Sequence, residues 1–139
     1  MKMLNQLIRW SPSILWMAVI FYLSSRTGDE LGTLIPLFQI IFPAMQSFDW
    51  GHFVAYFILA CTYYWAALPK YHGIYTKLAV VILCGLYGVT DEFHQSFVGG
   101  RQPDPLDIRN DVIGAALAML FVSIPVVRRF IHRIRGSSQ

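Results

Sequence analysis

Apolar residues in this chain form four long runs that are separated by short polar stretches. The runs cover about 8–25, 51–68, 76–97 and 105–127. Each is close to the roughly 20 residues with which an α-helix crosses the hydrocarbon core of a bilayer. The pattern therefore predicts an all-α, polytopic membrane protein: a four-transmembrane-helix bundle in a single domain over 1–139.

A shorter apolar run at 31–45, LGTLIPLFQIIFPAM, is interrupted by Pro36 and Pro43. Runs of this length are more typical of interfacial or re-entrant segments than of spans. We therefore expect an extra interfacial or re-entrant segment around 31–45. The alternative is a fifth span, which would reverse the topology of everything that follows it.

Charged residues divide between the two ends of the predicted helices. All eight Asp and Glu residues lie in or beside the first and third connections, and eight of the eleven Lys and Arg residues lie in the other polar segments. Lys and Arg concentrate on the cytoplasmic side of membrane proteins. We therefore expect both termini in the cytoplasm and the acidic residues outside. The composition, 55% hydrophobic and 14% charged, argues against a soluble domain.

The basic C-terminal end, RRFIHRIRGSSQ, is typical of a juxtamembrane segment that is attracted to anionic lipid. We expect membrane lipids as partners and no nucleic acid, although a nucleic-acid tail is the alternative for such a segment. Nothing in the sequence indicates an oligomeric state.

Polar residues gather near the outer ends of the second and third predicted helices. His52 and Tyr56 are four residues apart and share one helix face. Glu92 and Gln95 continue a face that begins with two glycines, and Asp91 lies beside Gln95. Small residues let a neighbouring helix approach closely. The acidic side chains would then meet polar groups of that neighbour. The face has 3-4-3 spacing and consists of Gly85, Gly88, Glu92 and Gln95.

The fourth predicted helix begins with Pro105 in its first turn and Asp104 as its N-cap. Asp107 and Asp111 lie on a face that continues into small residues, with 4-3-4 spacing. The basic residues nearest to these acids in sequence are Arg101 and Arg109. The face consists of Asp107, Asp111, Gly114 and Ala118.

Ionisable residues at membrane depth are costly and usually functional. One interpretation is a structural network of interhelical hydrogen bonds and ion pairs. The variety of groups, which includes imidazole, phenol, carboxylates, a carboxamide and a guanidinium, favours an outward-facing polar pocket that is built from three helix ends.

The order of these residues resembles the VanZ-like family. The pattern is His52-Phe53-x-x-Tyr56-x-x-Leu59, then Gly88-x-x-Asp91-Glu92-x-x-Gln95, then Arg101, then Asp107-x-x-x-Asp111-x-x-Gly114, preceded by Ser24-Ser25. The resemblance covers about residues 13 to 125. Two positions depart from many members, which have lysine where this chain has Asp49 and asparagine where it has Asp111.

The resemblance implies a multi-pass protein of the bacterial cytoplasmic (inner) membrane that acts in the cell envelope. The family's namesake is linked to antibiotic resistance, namely to teicoplanin, a lipoglycopeptide. We expect a protein that binds an envelope lipid or a lipid-linked cell-wall precursor. Arg101 would pair with a phosphate or carboxylate, and Tyr56, Gln95, Asp107 and Asp111 would contribute to ligand binding.

Two alternatives remain open. In a membrane-embedded hydrolase or transferase that acts on a lipid-linked phosphate, Glu92 or Asp91 would be the general base and His52 a general acid or base. No cofactor is established, but an oxygen-rich set suits a divalent metal. The ligands for such a metal would be His52, Asp91, Glu92, Asp107 and Asp111.

A transporter of small solutes or protons is the second alternative.

Overall fold

The computed structural model describes residues 2–41, 43, 49–67 and 73–136, and the regular structure in these ranges is entirely helical. The helices are α1 (Lys2–Ser24), α2 (Gly28–Gln39), α3 (Asp49–Ala67), α4 (Ile74–Gln95), α5 (Pro105–Phe121) and α6 (Pro125–Gly136). The all-α prediction is confirmed. Helices α3 and α4 match the second and third predicted runs to within two residues, and α1 begins six residues earlier than predicted.

Local sequence signals explain where two of the helices begin. At the start of α2, the Glu30 amide donates to Thr27 Oγ1 (3.3 Å) and the Thr27 amide donates to Glu30 Oε2 (3.1 Å). This reciprocal pair is a capping box. At the start of α5, Asp104 Oδ1 accepts a hydrogen bond from the Leu106 amide (2.8 Å), and Pro105 lies in the first turn. The predicted cap of α5 is therefore confirmed.

The prediction of one continuous fourth helix over 105–127 is wrong. Helix α5 ends at Phe121, and α6 begins at Pro125 after a bend of 80°. Pro125 has no amide hydrogen, and its ring would clash with the carbonyl four residues earlier, which belongs to Phe121. The chain therefore turns before the proline, and α6 continues in a new direction as a short basic helix.

Two of the described helices are long and apolar enough to cross a membrane. They are α1, over Gln6–Ser24, and α4, over Ile74–Gln95; the bent pair of α5 and α6 would make a third if it is one span. Helix α2, in the segment predicted as interfacial or re-entrant, has 12 residues and is too short to cross. The rest of that segment, 42 and 44–45, lies outside the described residues. The number of spans beyond these candidates stays a prediction.

Helix α3 is the central element, because α1, α4 and α5 all pack against it. It carries Tyr56, Tyr63 and Tyr64, which are all buried. Trp16 Nε1 donates to the Ala55 carbonyl (2.8 Å), which joins α1 to α3. The buried core of the bundle includes Tyr56, Leu59, Ala60, Tyr63, Cys84, Ala115 and Ala118.

The carboxylates gather at one end of this bundle, and basic residues such as Arg9 and Lys77 lie at the other. At one end, Arg9 of α1 donates to the Ala66 carbonyl at the end of α3, and Lys77 of α4 donates to Ser123 after α5. The C-terminal ends of α1 and α4 and the N-terminal ends of α3 and α5 meet at the other end. That second end contains the carboxylates that the sequence singles out.

Candidate functional site

Two glycines allow three helices to converge at the acidic end. A Cβ atom on Gly88 of α4 would lie 2.4 Å from Asp111 Oδ2 of α5. A Cβ atom on Gly114 of α5 would lie 2.4 Å from the Phe53 carbonyl oxygen of α3. Real Cβ atoms essentially never come so close to another heavy atom. The predicted role of these glycines in close helix packing is therefore confirmed.

His52 lies between two carboxylates of α5. Its Nδ1 atom is 2.9 Å from Asp111 Oδ1, which is a hydrogen-bond distance, and its Nε2 atom is 3.5 Å from Asp107 Oδ2. Asp111 is completely buried, and the His52 side chain is 11% exposed. The carboxylate of Asp111 thus fixes the orientation of the imidazole, since a hydrogen bond at one ring nitrogen determines the role of the other.

Glu92 reaches the same place from α4. Its Oε2 atom accepts a hydrogen bond from the Asp104 amide (2.8 Å), which fixes the carboxylate against the start of α5. Its Oε1 atom is buried and has no hydrogen-bond partner among the described residues. Ligand atoms of His52, Glu92 and Asp107 lie within 4.8 Å of one another. The predicted convergence is therefore confirmed for the pairs His52–Glu92 and His52–Asp111.

A second chain of polar contacts leads from α4 to the connection before α5. The side chain of Ser24 forms a hydrogen bond with the Asp91 carboxylate. Gln95 Nε2 donates a second hydrogen bond to Asp91 Oδ2 (3.2 Å). Arg101 donates to Gln95 Oε1 from Nε (3.0 Å) and also from Nη2. Asp91 and Gln95 are both buried. Arg101 is therefore linked to Asp91 through the carboxamide of Gln95.

Tyr56 lies one helical turn below His52, as the spacing predicts. The two rings are nearly parallel, with an interplanar angle of 11° and 6.4 Å between centroids. Tyr56 is completely buried, and its hydroxyl has no hydrogen-bond partner among the described residues. A buried hydroxyl without a partner is costly, so this phenol has a free capacity to bind a ligand or a water molecule.

An apolar cavity of about 370 Å³ opens beside these polar groups, between α1, α2 and α3. This volume is within the range of small-molecule binding sites. The apolar part of its lining includes Trp16, Val19, Ile20, Leu31 and Val54. The polar part consists of Ser24, His52, Tyr56, Asp91 and Arg101. The exposed wall of the cavity is therefore almost entirely apolar, and these polar side chains border it at the acidic end of the bundle.

The family model for VanZ/LLP1 matches residues 10–127. The chain belongs to the VanZ/LLP1 family. A curated relative, the uncharacterized protein C11E3.10 of Schizosaccharomyces pombe (strain 972), is 34% identical over 86 residues, which are 60% of this chain. The chain spans about half the length of that relative (51%). No solved structure matches the chain significantly.

The structure brings together the eight site residues that the sequence predicts, but in two groups. Asp107, Asp111 and Glu92 surround His52, whereas Asp91 and Gln95 lead towards Arg101, and Tyr56 is stacked below His52. Arg109 is not part of either group in the described contacts, since it donates to the neighbouring Asn110 Oδ1 (3.2 Å).

Two contributors were missed by reasoning from the sequence. One is the backbone amide of Asp104, which donates to Glu92. The sequence predicted Asp104 as the N-cap of this helix, but it did not predict that the Asp104 amide contacts Glu92. The other is the apolar wall of α1 with Trp16 and Val19, because a lipid-facing run and a cavity wall have the same composition.

Proposed function

We propose that this VanZ/LLP1 family member binds a phosphate-bearing lipid of the cell envelope, with the lipid chain in the cavity and the headgroup at its polar end. The observation that carries the proposal is an apolar cavity that is bordered by polar side chains at the acidic end of the bundle. An apolar body of this size between membrane helices suits an acyl or isoprenoid chain. Polar groups at one end only would hold a headgroup in a fixed position.

Arg101 is the residue that would contact the phosphate. A guanidinium has five N–H donors, and two atoms of Arg101 already donate to Gln95. That contact fixes the plane of the guanidinium, and the remaining donors can form a fork onto phosphate oxygens. Tyr56 would add its hydroxyl, which has no partner among the described residues.

The proposal includes a topology. Four spans with both termini in the cytoplasm would place the cavity at the outer face, where envelope lipids and lipid-linked cell-wall precursors are exposed. The separation of Arg9 and Lys77 from the carboxylates supports this arrangement. A link to teicoplanin susceptibility would then come through the lipid-linked precursor. The fission yeast relative favours a lipid class that is not confined to bacteria.

A binding experiment in detergent tests the proposal. We expect the full chain to bind a polyprenyl phosphate or phosphatidic acid at a 1:1 ratio in native mass spectrometry, and to bind phosphatidylcholine much more weakly. Val19→Trp should abolish binding because Val19 lines the cavity. Leu15→Trp is the matched control, because Leu15 is on the same helix and 69% exposed. Equal binding by the two variants would rule out the cavity as the lipid site.

A second candidate function is hydrolysis or transfer at the phosphate ester of such a lipid. The observation that favours it is the pair of His52 and Asp111, since a buried carboxylate that orients an imidazole is typical of general acid–base catalysis. Glu92→Gln separates the candidates. It should abolish turnover of a lipid phosphate if Glu92 is a base, while lipid binding by a pure binding protein should persist in this variant.

A further inference from the structure

The distance between His52 Nε2 and Asp107 Oδ2 is informative. At 3.5 Å, it exceeds the 2.7–3.2 Å that is usual for hydrogen bonds of this kind. It is close to the separation of two ligands on one metal ion, because atoms about 2.1 Å from a tetrahedral ion lie roughly 3.4 Å apart. The distance therefore suits two ligands of a common ion as well as it suits an ion pair.

Glu92 supplies an independent observation. It is only 5% exposed, and its buried Oε1 atom has no hydrogen-bond partner among the described residues. The cost of burying a carboxylate oxygen without a partner is high. Because ligand atoms of Glu92, His52 and Asp107 lie within 4.8 Å of one another, small side-chain movements would close all three around one ion.

The surroundings of these ligands match those of metal sites in proteins. A histidine that binds a metal usually donates its other ring N–H to a carboxylate, which fixes the tautomer. Asp111 holds this position, 2.9 Å from His52 Nδ1. Glu92 Oε2 is in turn fixed by the Asp104 amide. His52 and Glu92 are thus each oriented by a hydrogen bond at one of their two possible ligand atoms.

The local charge also calls for a cation. Four carboxylates lie in this end of the bundle, at Asp91, Glu92, Asp107 and Asp111, and three of them are buried. Arg101 donates to the neutral carboxamide of Gln95, and the imidazole of His52 is the group that pairs directly with Asp107 and Asp111 in the described contacts. A divalent ion would offset the remaining negative charge.

We propose that His52, Glu92 and Asp107 bind one divalent metal ion, with Asp111 as the residue that positions the imidazole. One imidazole and two carboxylates suit Zn²⁺ or Mn²⁺. Three protein ligands leave a coordination position open, as in catalytic zinc sites. Because His52 also lines the cavity, the ion would lie near the cavity's polar end. The proposal does not depend on lipid binding.

Metal analysis of the purified full chain tests this site. The protein would be stripped with EDTA, and reloaded separately with Zn²⁺, Mn²⁺ and Mg²⁺ in lipid-free detergent. We expect one Zn²⁺ or Mn²⁺ per chain by elemental analysis, and visible absorption bands after loading with Co²⁺. Glu92→Gln and Asp107→Asn should each lower the affinity at least tenfold. Asp111→Asn should lower it by about 10- to 100-fold, as expected for an outer-shell partner.

The matched control is Asp29→Asn, which also converts an acid to its amide, at an exposed position at the start of α2. It should bind metal as the wild type does. Each variant is compared at equal helical circular dichroism and equal elution volume. Wild-type protein that binds no ion after reloading would overturn the proposal. Unchanged affinity in both Glu92→Gln and Asp107→Asn would also overturn it. Neither result would affect the lipid experiment with Val19→Trp.

Discussion

Replacing Gly114 by alanine tests how tightly α3 and α5 depend on their close approach. The new Cβ atom would lie 2.4 Å from the Phe53 carbonyl oxygen and 3.1 Å from two further backbone atoms of Phe53. Ordinary contact begins at 3.4 Å, so about 1.0 Å (3.4 − 2.4) is missing. A helical backbone cannot turn aside as a side chain can. The two helices must therefore move apart.

Two opposing effects determine the magnitude. Alanine favours a helix over glycine by about 1 kcal/mol, whereas overpacking of this kind typically costs about 1–3 kcal/mol. Lipid provides no hydrophobic drive between helices, so close packing is a main source of their attraction. A shift of α5 would also loosen Ala115 and Ala118, which are fully buried. We expect Gly114→Ala to lower the free energy of unfolding by about 1–2 kcal/mol.

The assay is reversible unfolding by sodium dodecyl sulfate in mixed micelles, followed by circular dichroism. Gly32→Ala is the matched control, because a Cβ atom on Gly32 would have nothing within 4 Å. This control should be as stable as the wild type or slightly more stable. If Gly114→Ala unfolds at the same detergent fraction as Gly32→Ala, the close contact between α3 and α5 does not exist as described.

Three further predictions follow from the same structure. Gly88→Ala should leave the protein folded but displace the Asp111 carboxylate, whose Oδ2 atom would be 2.4 Å from the new Cβ. Its affinity for metal in the reloading experiment should therefore fall, while its detergent fraction at half-unfolding stays close to that of the wild type. Tyr56→Phe should not lower stability, since the hydroxyl has no partner among the described residues, but it should weaken lipid binding in native mass spectrometry. In a variant without native cysteines, Glu30→Cys should react with an impermeant thiol reagent from outside the cell and Tyr75→Cys should not; the opposite result would invert the proposed topology.

The sequence predicted the convergence of the acidic helix ends because two periodic signals agreed. Glycines at helical spacing showed where a neighbour can approach, and carboxylates on the same faces showed what the approach would bury. Gly88 and Asp111 illustrate this agreement, since the absent side chain of one makes room for the carboxylate of the other. Helical periodicity placed each residue on its face, whereas the structure shows which glycine meets which carboxylate.

Other features could not be predicted in the same way. Hydropathy continues across Pro125, so an apolar run concealed the 80° bend that separates α5 from α6. The cavity depends on how α1 and α2 are placed relative to α3, and this placement comes from contacts such as Trp16 to the Ala55 carbonyl. Neither contact partner has a sequence signature. The spacing of residues along the sequence therefore could not predict how α1 and α2 pack relative to α3.

The acidic end of the bundle differs from a purely structural polar network in one respect. A network that serves only stability should give each of its buried polar atoms a hydrogen-bond partner, because a buried polar atom without a partner is costly. Here Tyr56 OH, Glu92 Oε1 and Asp111 Oδ2 are all buried without partners among the described residues, and Gly88 leaves the space that Asp111 requires. A bundle gains no stability from three such atoms in one place. Three of the buried atoms without partners thus belong to His52's neighbours Tyr56, Glu92 and Asp111, as a site for a cation and a headgroup would require, and this is the reason for proposing a binding role for this end of the protein.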